Sequence, residues 1–236
     1  MFAQALCGGT VIMAHPRMSD PESTLQALFD AERAVRAAQD RLLEFAQSKP
    51  DRVRSLLEIA TREALSFAGS DEDEASLQLV RIAELLGEMQ GPLVVDLLVD
   101  ILGCDDPDVR RAAGEALQGL AFDRFKEVAL GVERALERLP AGSSALSELP
   151  YLLAGIPEPG VSKLLARFLQ NNDADAVAAA IEVLVEIGDA AAVPLMDSLA
   201  SDSRRVQLED EGGTEGEATI GELVAEARVL LSKGAA

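Results

Sequence analysis

Apolar side chains recur every three or four positions along most of this chain, the spacing of one face of an α-helix. The first such segment begins at Asp20, a residue type that caps helices, followed by proline in the favoured first position. Lys49 and Pro50 end it, and a second apolar stripe predicts a helix from Asp51 to about Ala68. Because the connection is short, we predict an N-terminal helical hairpin over residues 19–68.

The first helix of this hairpin has apolar positions in alternating steps of three and four, as in a coiled-coil seam. They are Leu28, Ala31, Val35, Ala38, Leu42 and Phe45. Two interpretations remain open: the seam packs on the rest of the chain, or it forms a homodimer through the N-terminal hairpin.

Residues 1–18 are mildly apolar but do not have the pattern of a secretory signal. No positive charge precedes Arg17, and no small-residue cleavage motif follows the apolar stretch. We predict a disordered leader or a start assigned too early, with Met13 or Met18 as the true start. No other stretch approaches the length of a membrane span, so we expect a cytoplasmic protein.

Beyond residue 70 the chain repeats itself. Similar segments surround Glu84, Glu115 and Glu182, which are 31 and 67 residues apart, and 67 is about twice 33. A second set of positions marks the ends of the intervening helices: Leu102, Leu139, Leu169 and Leu199. The positions of the two sets alternate along the chain, so each repeat contains one helix of each kind, that is, one helix pair. This is typical of an α-solenoid, in which stacked repeats share a continuous core.

Two of these segments, 106–117 and 173–195, resemble HEAT repeats of the short bacterial type, which are also found in bilin (PBS) lyases. The resemblance covers about residues 71–201 and implies an all-α fold, an α-solenoid of about four HEAT-like helix pairs. The third pair departs from the pattern at Pro150 and at residues 157–160. Since such arrays serve many roles, the resemblance implies architecture more than function.

The repeat array, residues 69–236, contains one segment that does not fit a helix. Residues 209–217 hold three glycines and five acidic residues, a composition typical of unpacked chain. We therefore predict an acidic loop over 203–218. Thr219 then begins an amphipathic helix that we interpret as a C-terminal cap of the array.

The net charge and the small number of reactive side chains argue against several classes of function. The formal net charge is −20, of which residues 69–236 carry −19, and this opposes binding to nucleic acid or to an anionic membrane. One histidine, His15, and two cysteines, Cys7 and Cys104, offer no catalytic base and no multi-histidine metal centre. We therefore expect a non-enzymatic protein with no cofactor and no bound metal.

In a solenoid the second helices of successive repeats line the concave face. The charged residues expected there are Asp96, Asp100, Glu137, Lys163, Arg167 and Asp197. Such a face, mostly acidic with one basic stripe, would bind a basic or mixed-charge protein segment, as a scaffold or adaptor does. The alternatives are a solvated face without a partner, a bilin-lyase-type enzyme or chaperone, and an acidic inhibitor that mimics nucleic acid.

Overall fold

The computed structural model describes residues 20–67, 72–209 and 215–234. The predicted leader, residues 1–18, lies outside the described residues. The fold is all-α, as predicted, with one short pair of strands near the C-terminus. The chain divides into two compact units, Met1–Leu42 and Leu43–Ala236, and the boundary falls within the first helix.

The elements follow one another in chain order. They are α1 (Pro21–Ser48), α2 (Pro50–Ser66), α3 (Glu72–Gly87), α4 (Pro92–Leu102), α5 (Pro107–Arg138), α6 (Ser144–Ala154), α7 (Val161–Phe168), α8 (Ala174–Ile187), a 3₁₀ helix (Ala190–Leu199), β1 (Arg205–Glu209), β2 (Glu215–Thr219) and α9 (Ile220–Gly234).

Helix α1 is a single continuous helix of 28 residues, none of them buried. The hydroxyl of Ser23 donates to the carbonyl oxygen of Asp20 at 2.7 Å, which ties the first turn. Two residues of the predicted seam, Leu28 and Phe45, are more than half exposed. The helix itself is confirmed, whereas its pairing into a hairpin or a dimer stays a prediction.

Some helix boundaries follow from capping residues that the sequence shows directly, those of α5 and α8 among them. Asp106 caps α5 by accepting from the amides of Asp108 and Val109 at 2.8 and 3.2 Å. Asp173 caps α8, and Gly188, with φ of +74°, ends it in the left-handed conformation that glycine adopts without strain. These local hydrogen bonds satisfy amides and carbonyls that a helix end leaves unpaired.

Within the second unit, each helix packs mainly on helices close to it in the chain. α3 and α4 both pack against α5, α6 packs against α8, and α9 packs against α8 and the 3₁₀ helix. α5 contains a break at Arg124, whose φ and ψ of −141° and 50° are not helical, so it is two helical segments joined by a kink. The core is almost entirely Leu, Val, Ile and Ala.

The segment predicted as an acidic loop, 203–218, is largely not a loop, and we correct that prediction. Residues 205–209 and 215–219 form an antiparallel pair in which Gln207 lies opposite Glu217. The apolar and polar side chains of 205–209 alternate, which is the period of a strand, and Val206 is buried. The Arg205 guanidinium forms a cross-strand ion pair with Glu217 at 2.5 Å. Residues 210–214, the centre of the acidic run, lie outside the described residues.

The C-terminal helix begins where the sequence predicts. The Thr219 amide donates to the Glu222 carboxylate at 2.7 Å, and the Glu222 amide donates back to the Thr219 hydroxyl at 3.2 Å. This reciprocal pair is a capping box. Among the described helices, none is long and apolar enough to cross a bilayer.

Candidate functional site

Two of the predicted face residues, Asp96 and Asp100, lie one turn apart on α4. They are the two polar side chains of a helix that is otherwise apolar after its first proline, so they share the side that is not in the core. Arg134 donates to Asp96, with its Nε atom 3.0 and 3.2 Å from the two carboxylate oxygens. Arg138 donates to Oδ1 of Asp100 at 2.6 Å. Both acids are therefore paired across the contact between α4 and α5.

The close approach of α5 to α4 depends on Gly131. A β-carbon at this position would lie 2.2 Å from Cγ1 of Val95, so any side chain larger than hydrogen would clash with α4. Arg134 lies one turn after Gly131, and it reaches α4 twice, since it also donates to the carbonyl oxygen of Pro92 at 3.0 Å. The small residue and the arginine together dock the second segment of α5 on α4.

The other predicted face residues do not join this pair of acids. Asp197, in the 3₁₀ helix, forms an ion pair with Arg228 of α9 at 2.5 Å. Glu137, Lys163 and Arg167 are exposed, and no ion pair links any of them to another described residue. The predicted set is thus divided between acids held by arginines of a later helix and charges that face solvent.

A groove with a volume of about 310 Å³ lies beside Asp96 and Asp100, and α2, α4 and α5 form its walls. The lining residues are Glu58, Thr61, Arg62, Leu65, Leu93, Asp96, Leu97, Asp100 and Arg138. Sequence reasoning found the α4 acids but missed the whole α2 wall, because the N-terminal helices were assigned to a separate hairpin. One feature of the α2 sequence could have pointed to this wall. Thr61 is a polar residue within the apolar stripe of the helix, among residues that are buried.

The carboxylates of this groove are less exposed than the arginines paired with them. Glu58 is 38% exposed whereas its partner Arg62 is 72% exposed, and Asp100 is 31% exposed whereas Arg138 is 44% exposed. Thr61 also lines the wall, but it is 1% exposed and its hydroxyl oxygen is itself buried, without a hydrogen-bond partner among the described residues, so it offers no acceptor to the groove.

A larger cavity of about 770 Å³ lies beside the kink of α5, and three of its six charged lining residues, Arg124, Glu127 and Arg134, bind backbone atoms. Arg124 donates to the carbonyl oxygen of Met89 at 2.7 Å, and Glu127 accepts from the amide of Gly91 at the same distance. These bonds tie the kink to the turn between α3 and α4. We therefore assign this cavity a structural origin and take the smaller groove as the candidate site.

Within the described ranges, no three His, Cys, Asp or Glu side chains are grouped so that they could hold a metal ion. Cys104, just after α4, is partly buried and is a free thiol.

Comparison with known proteins adds little. No protein-family model and no curated protein matches the chain. Among solved structures, the crystal structure of an engineered protein is 19% identical, covering 84% of this chain and 97% of that one, with a TM-score of 0.32.

Proposed function

We propose that this protein is a non-enzymatic scaffold or adaptor, in which HEAT-like helix pairs form an α-solenoid that binds a basic or mixed-charge protein segment on its concave face. The order of packing supports the arrangement. In two cases a helix packs on an element of the next pair, α3 on α5 and α6 on α8, and the 3₁₀ helix packs on the C-terminal helix α9. Repeated contact between neighbouring pairs is how a solenoid buries its core.

The observation that carries the proposal is the groove between α2, α4 and α5. It brings three carboxylates, those of Glu58, Asp96 and Asp100, into one depression with apolar walls. Peptide-binding grooves combine apolar area with a few placed polar groups in this way. A net charge of −20 adds long-range attraction for a basic partner.

The charges outside the groove favour a partner of mixed charge. Lys163 and Arg167 are exposed one turn apart on α7, and Glu137 is exposed on α5. A partner that carried only positive charge would be repelled by the α7 pair. A segment with basic residues followed by an acidic stretch fits this arrangement better.

Charge reversal tests the proposal. Partners would be captured from the native host at about 150 mM salt with the wild-type chain and with an Asp96→Lys/Asp100→Lys variant. A matched control, Asp175→Lys/Glu186→Lys, makes the same change of net charge on exposed positions of α8. We expect one protein to be retained by wild type and control and lost by the variant.

The retained protein is then purified, and its association rate is measured by stopped flow at several salt concentrations. The α4 variant should bind it more slowly and with a weaker salt dependence. Equal association rates for the α4 variant and the wild type would show that the partner does not bind the face that carries Asp96 and Asp100.

We also propose that α1 mediates homodimerisation. Its apolar seam has the spacing of a parallel or antiparallel coiled coil, and Leu28 is exposed in the single chain. Light scattering coupled to size exclusion tests this: Leu28→Glu/Leu42→Glu should convert a dimer to a monomer. A wild-type chain that is monomeric at high concentration contradicts the proposal.

A further inference from the structure

We propose that two copies of this chain pair through α1 in the antiparallel direction, with Leu28 of one copy opposite Phe45 of the other. In this register the numbers of the paired residues add up to 73, so the two-fold axis passes between Arg36 and Ala37. The inference rests on the proposed homodimer, which it makes specific: the partner of the α1 seam is the same seam, reversed, on a second copy.

α1 leaves its seam available to a partner. None of its 28 residues is buried, although the helix is about 42 Å long. The two ends of the seam, Leu28 and Phe45, are more than half exposed, and Val35 and Leu42 in its middle are partly exposed. Because helices in water gain most of their stability from packing an apolar face, an uncovered α1 lacks its main stabilising contact.

The volumes of the seam residues fit a reversed copy of the seam. The large side chains of Leu28, Val35 and Leu42 alternate with the small ones of Ala31 and Ala38. In the antiparallel register Ala31 lies opposite Leu42 of the second copy, and Ala38 lies opposite Val35. Every alanine then faces a larger side chain, so the layers are filled to a similar extent, as close packing requires.

The parallel direction fits poorly, since each seam residue then lies opposite its own copy. Ala31 would face Ala31 and Ala38 would face Ala38, between layers that hold two leucines or two valines. The helices cannot come closer at the alanine layers than the large layers allow, so a void would remain at each of them. Shifting the antiparallel register by one heptad in either direction leaves Leu28 or Phe45 without a seam residue opposite it.

The charges around the seam fit a second copy and give no preference for a basic or an acidic partner. Residues 1–68 carry only −1 of the net charge of −20, so two copies that meet there avoid the repulsion between their acidic arrays. In the antiparallel register Glu32 lies beside Gln39 of the second copy, and Arg41 lies beside Ala34. No two like charges therefore meet along the flanks of the seam.

An exchange of volumes between two seam positions tests the direction. In the antiparallel dimer, Ala31→Leu sets two large side chains opposite each other in two layers, and we expect it to weaken dimerisation by about tenfold or more. Ala31→Leu/Leu42→Ala moves the large side chain to the other helix of the same layer and should recover most of the loss. Sedimentation equilibrium of the full-length chain measures each dissociation constant.

The parallel direction predicts the opposite result. There Ala31→Leu fills the void of an alanine layer and strengthens the dimer, and the added Leu42→Ala opens a new void. A tighter dimer for the single variant, or a double variant weaker than the single one, would overturn the antiparallel register.

Ala37→Leu is the matched control. It makes the same change on the side of α1 away from the seam and should dimerise as wild type does. Ala31 and Ala37 are both exposed, so neither substitution disturbs the core of a single chain.

A distance between spin labels measures the direction independently of any change in the seam. Ser23→Cys is labelled in a full-length chain in which Cys7 and Cys104 are replaced by serine, and pulsed EPR reports the distance between the two labels of a dimer. The antiparallel register separates them by about 40 Å along the helix axis. The parallel direction holds them within about 20 Å, the width of two packed helices.

The register and the homodimer fail in different ways. A wild-type chain that stays monomeric at high concentration would overturn both together. A dimer in which the labels are close keeps the homodimer and overturns the antiparallel register.

Discussion

Arg134 of α5 holds Asp96 of α4 through its Nε atom, 3.0 and 3.2 Å from the two carboxylate oxygens, and through Nη2, 2.9 Å from Oδ1. The two residues are 38 positions apart in the chain. Asp100 and Arg138 repeat the same separation one turn further along both helices. The next helical segment thus partly neutralises the predicted acidic face. Both oxygens of Asp96 accept hydrogen bonds from Arg134, and only one oxygen of Asp100 accepts one from Arg138.

The Asp96–Arg134 pair should contribute little to stability, because both side chains remain partly exposed. We expect a coupling free energy of about 1 kcal/mol or less in a double-mutant cycle of Asp96→Asn and Arg134→Gln. Urea denaturation of the four proteins measures it. A coupling above about 3 kcal/mol would mean that the pair behaves as a buried ion pair.

Replacing Gly131 should be strongly destabilising, since its β-carbon would lie 2.2 Å from Val95 Cγ1. We expect Gly131→Ala to lower the free energy of unfolding by about 1–3 kcal/mol, as overpacking does. Adding Val95→Ala should not restore stability, because the β-carbon of residue 95 would still lie 2.7 Å from the new one and two buried methyl groups are lost. Gly119→Ala is the matched control on α5: no atom lies within 4 Å of the added carbon, so it should raise stability by about 0.5–1 kcal/mol. Equal effects at the two glycines would contradict this account.

Asp173 should be the most costly helix cap to remove. It is 5% exposed, and its two oxygens accept from the amides of Ala176 at 2.9 Å and Gly142 at 2.5 Å. Asp173→Ala therefore unties α8 from the preceding turn as well as uncapping the helix, and we expect a loss of about 2 kcal/mol. Asp189→Ala removes a cap that accepts from Ala191 alone and should cost about 1 kcal/mol or less. Thermal denaturation of both variants ranks them, and the reverse order would show that the Gly142 bond adds nothing.

Stability should fall in acid through Asp202. The Arg204 guanidinium, hydrogen-bonded to this carboxylate, is the main cause that lowers the pKa of Asp202, and the backbone amide of Arg204 adds to the effect. A pKa lower in the folded state than in the unfolded chain stabilises the fold above the unfolded value of about 3.9. That stabilisation is lost as the pH falls through the lowered pKa.

The variant Asp202→Asn isolates this contribution. The difference in unfolding free energy between wild type and variant should be constant near neutral pH and should shrink as the pH falls below about 4. Urea titrations at several pH values measure it. A difference that does not change with pH would assign the acid sensitivity to other carboxylates.

The capped helix starts could be predicted because they depend on short-range chemistry. Asp106, Asp173 and Thr219 cap helices through hydrogen bonds to amides two or three residues away, so the sequence carries each capping interaction, whereas the further bond from the Gly142 amide to Asp173 depends on the tertiary structure. The β-hairpin was missed for a different reason. Acidic and glycine content was given more weight than the alternation in residues 205–209, which indicates a strand.

The candidate site was predictable only in part. Asp96 and Asp100 stand out because they interrupt an apolar helix, and their shared face follows from helical geometry. Nothing near them in the sequence indicates that Glu58 and Thr61 of α2 form the opposite wall, or that Arg134 and Arg138 take some of the acceptors. Those contacts join residues some 35 to 42 positions apart.

For this protein, residue order alone was enough to establish the all-α class, the capped starts of α5, α8 and α9, and the placing of two acids on one side of α4, because each depends on interactions within a few residues. Only the tertiary structure could decide which carboxylate of α4 keeps a free oxygen. That depends on how closely Gly131 lets α5 approach Val95, and hence on packing between distant segments that no local pattern records.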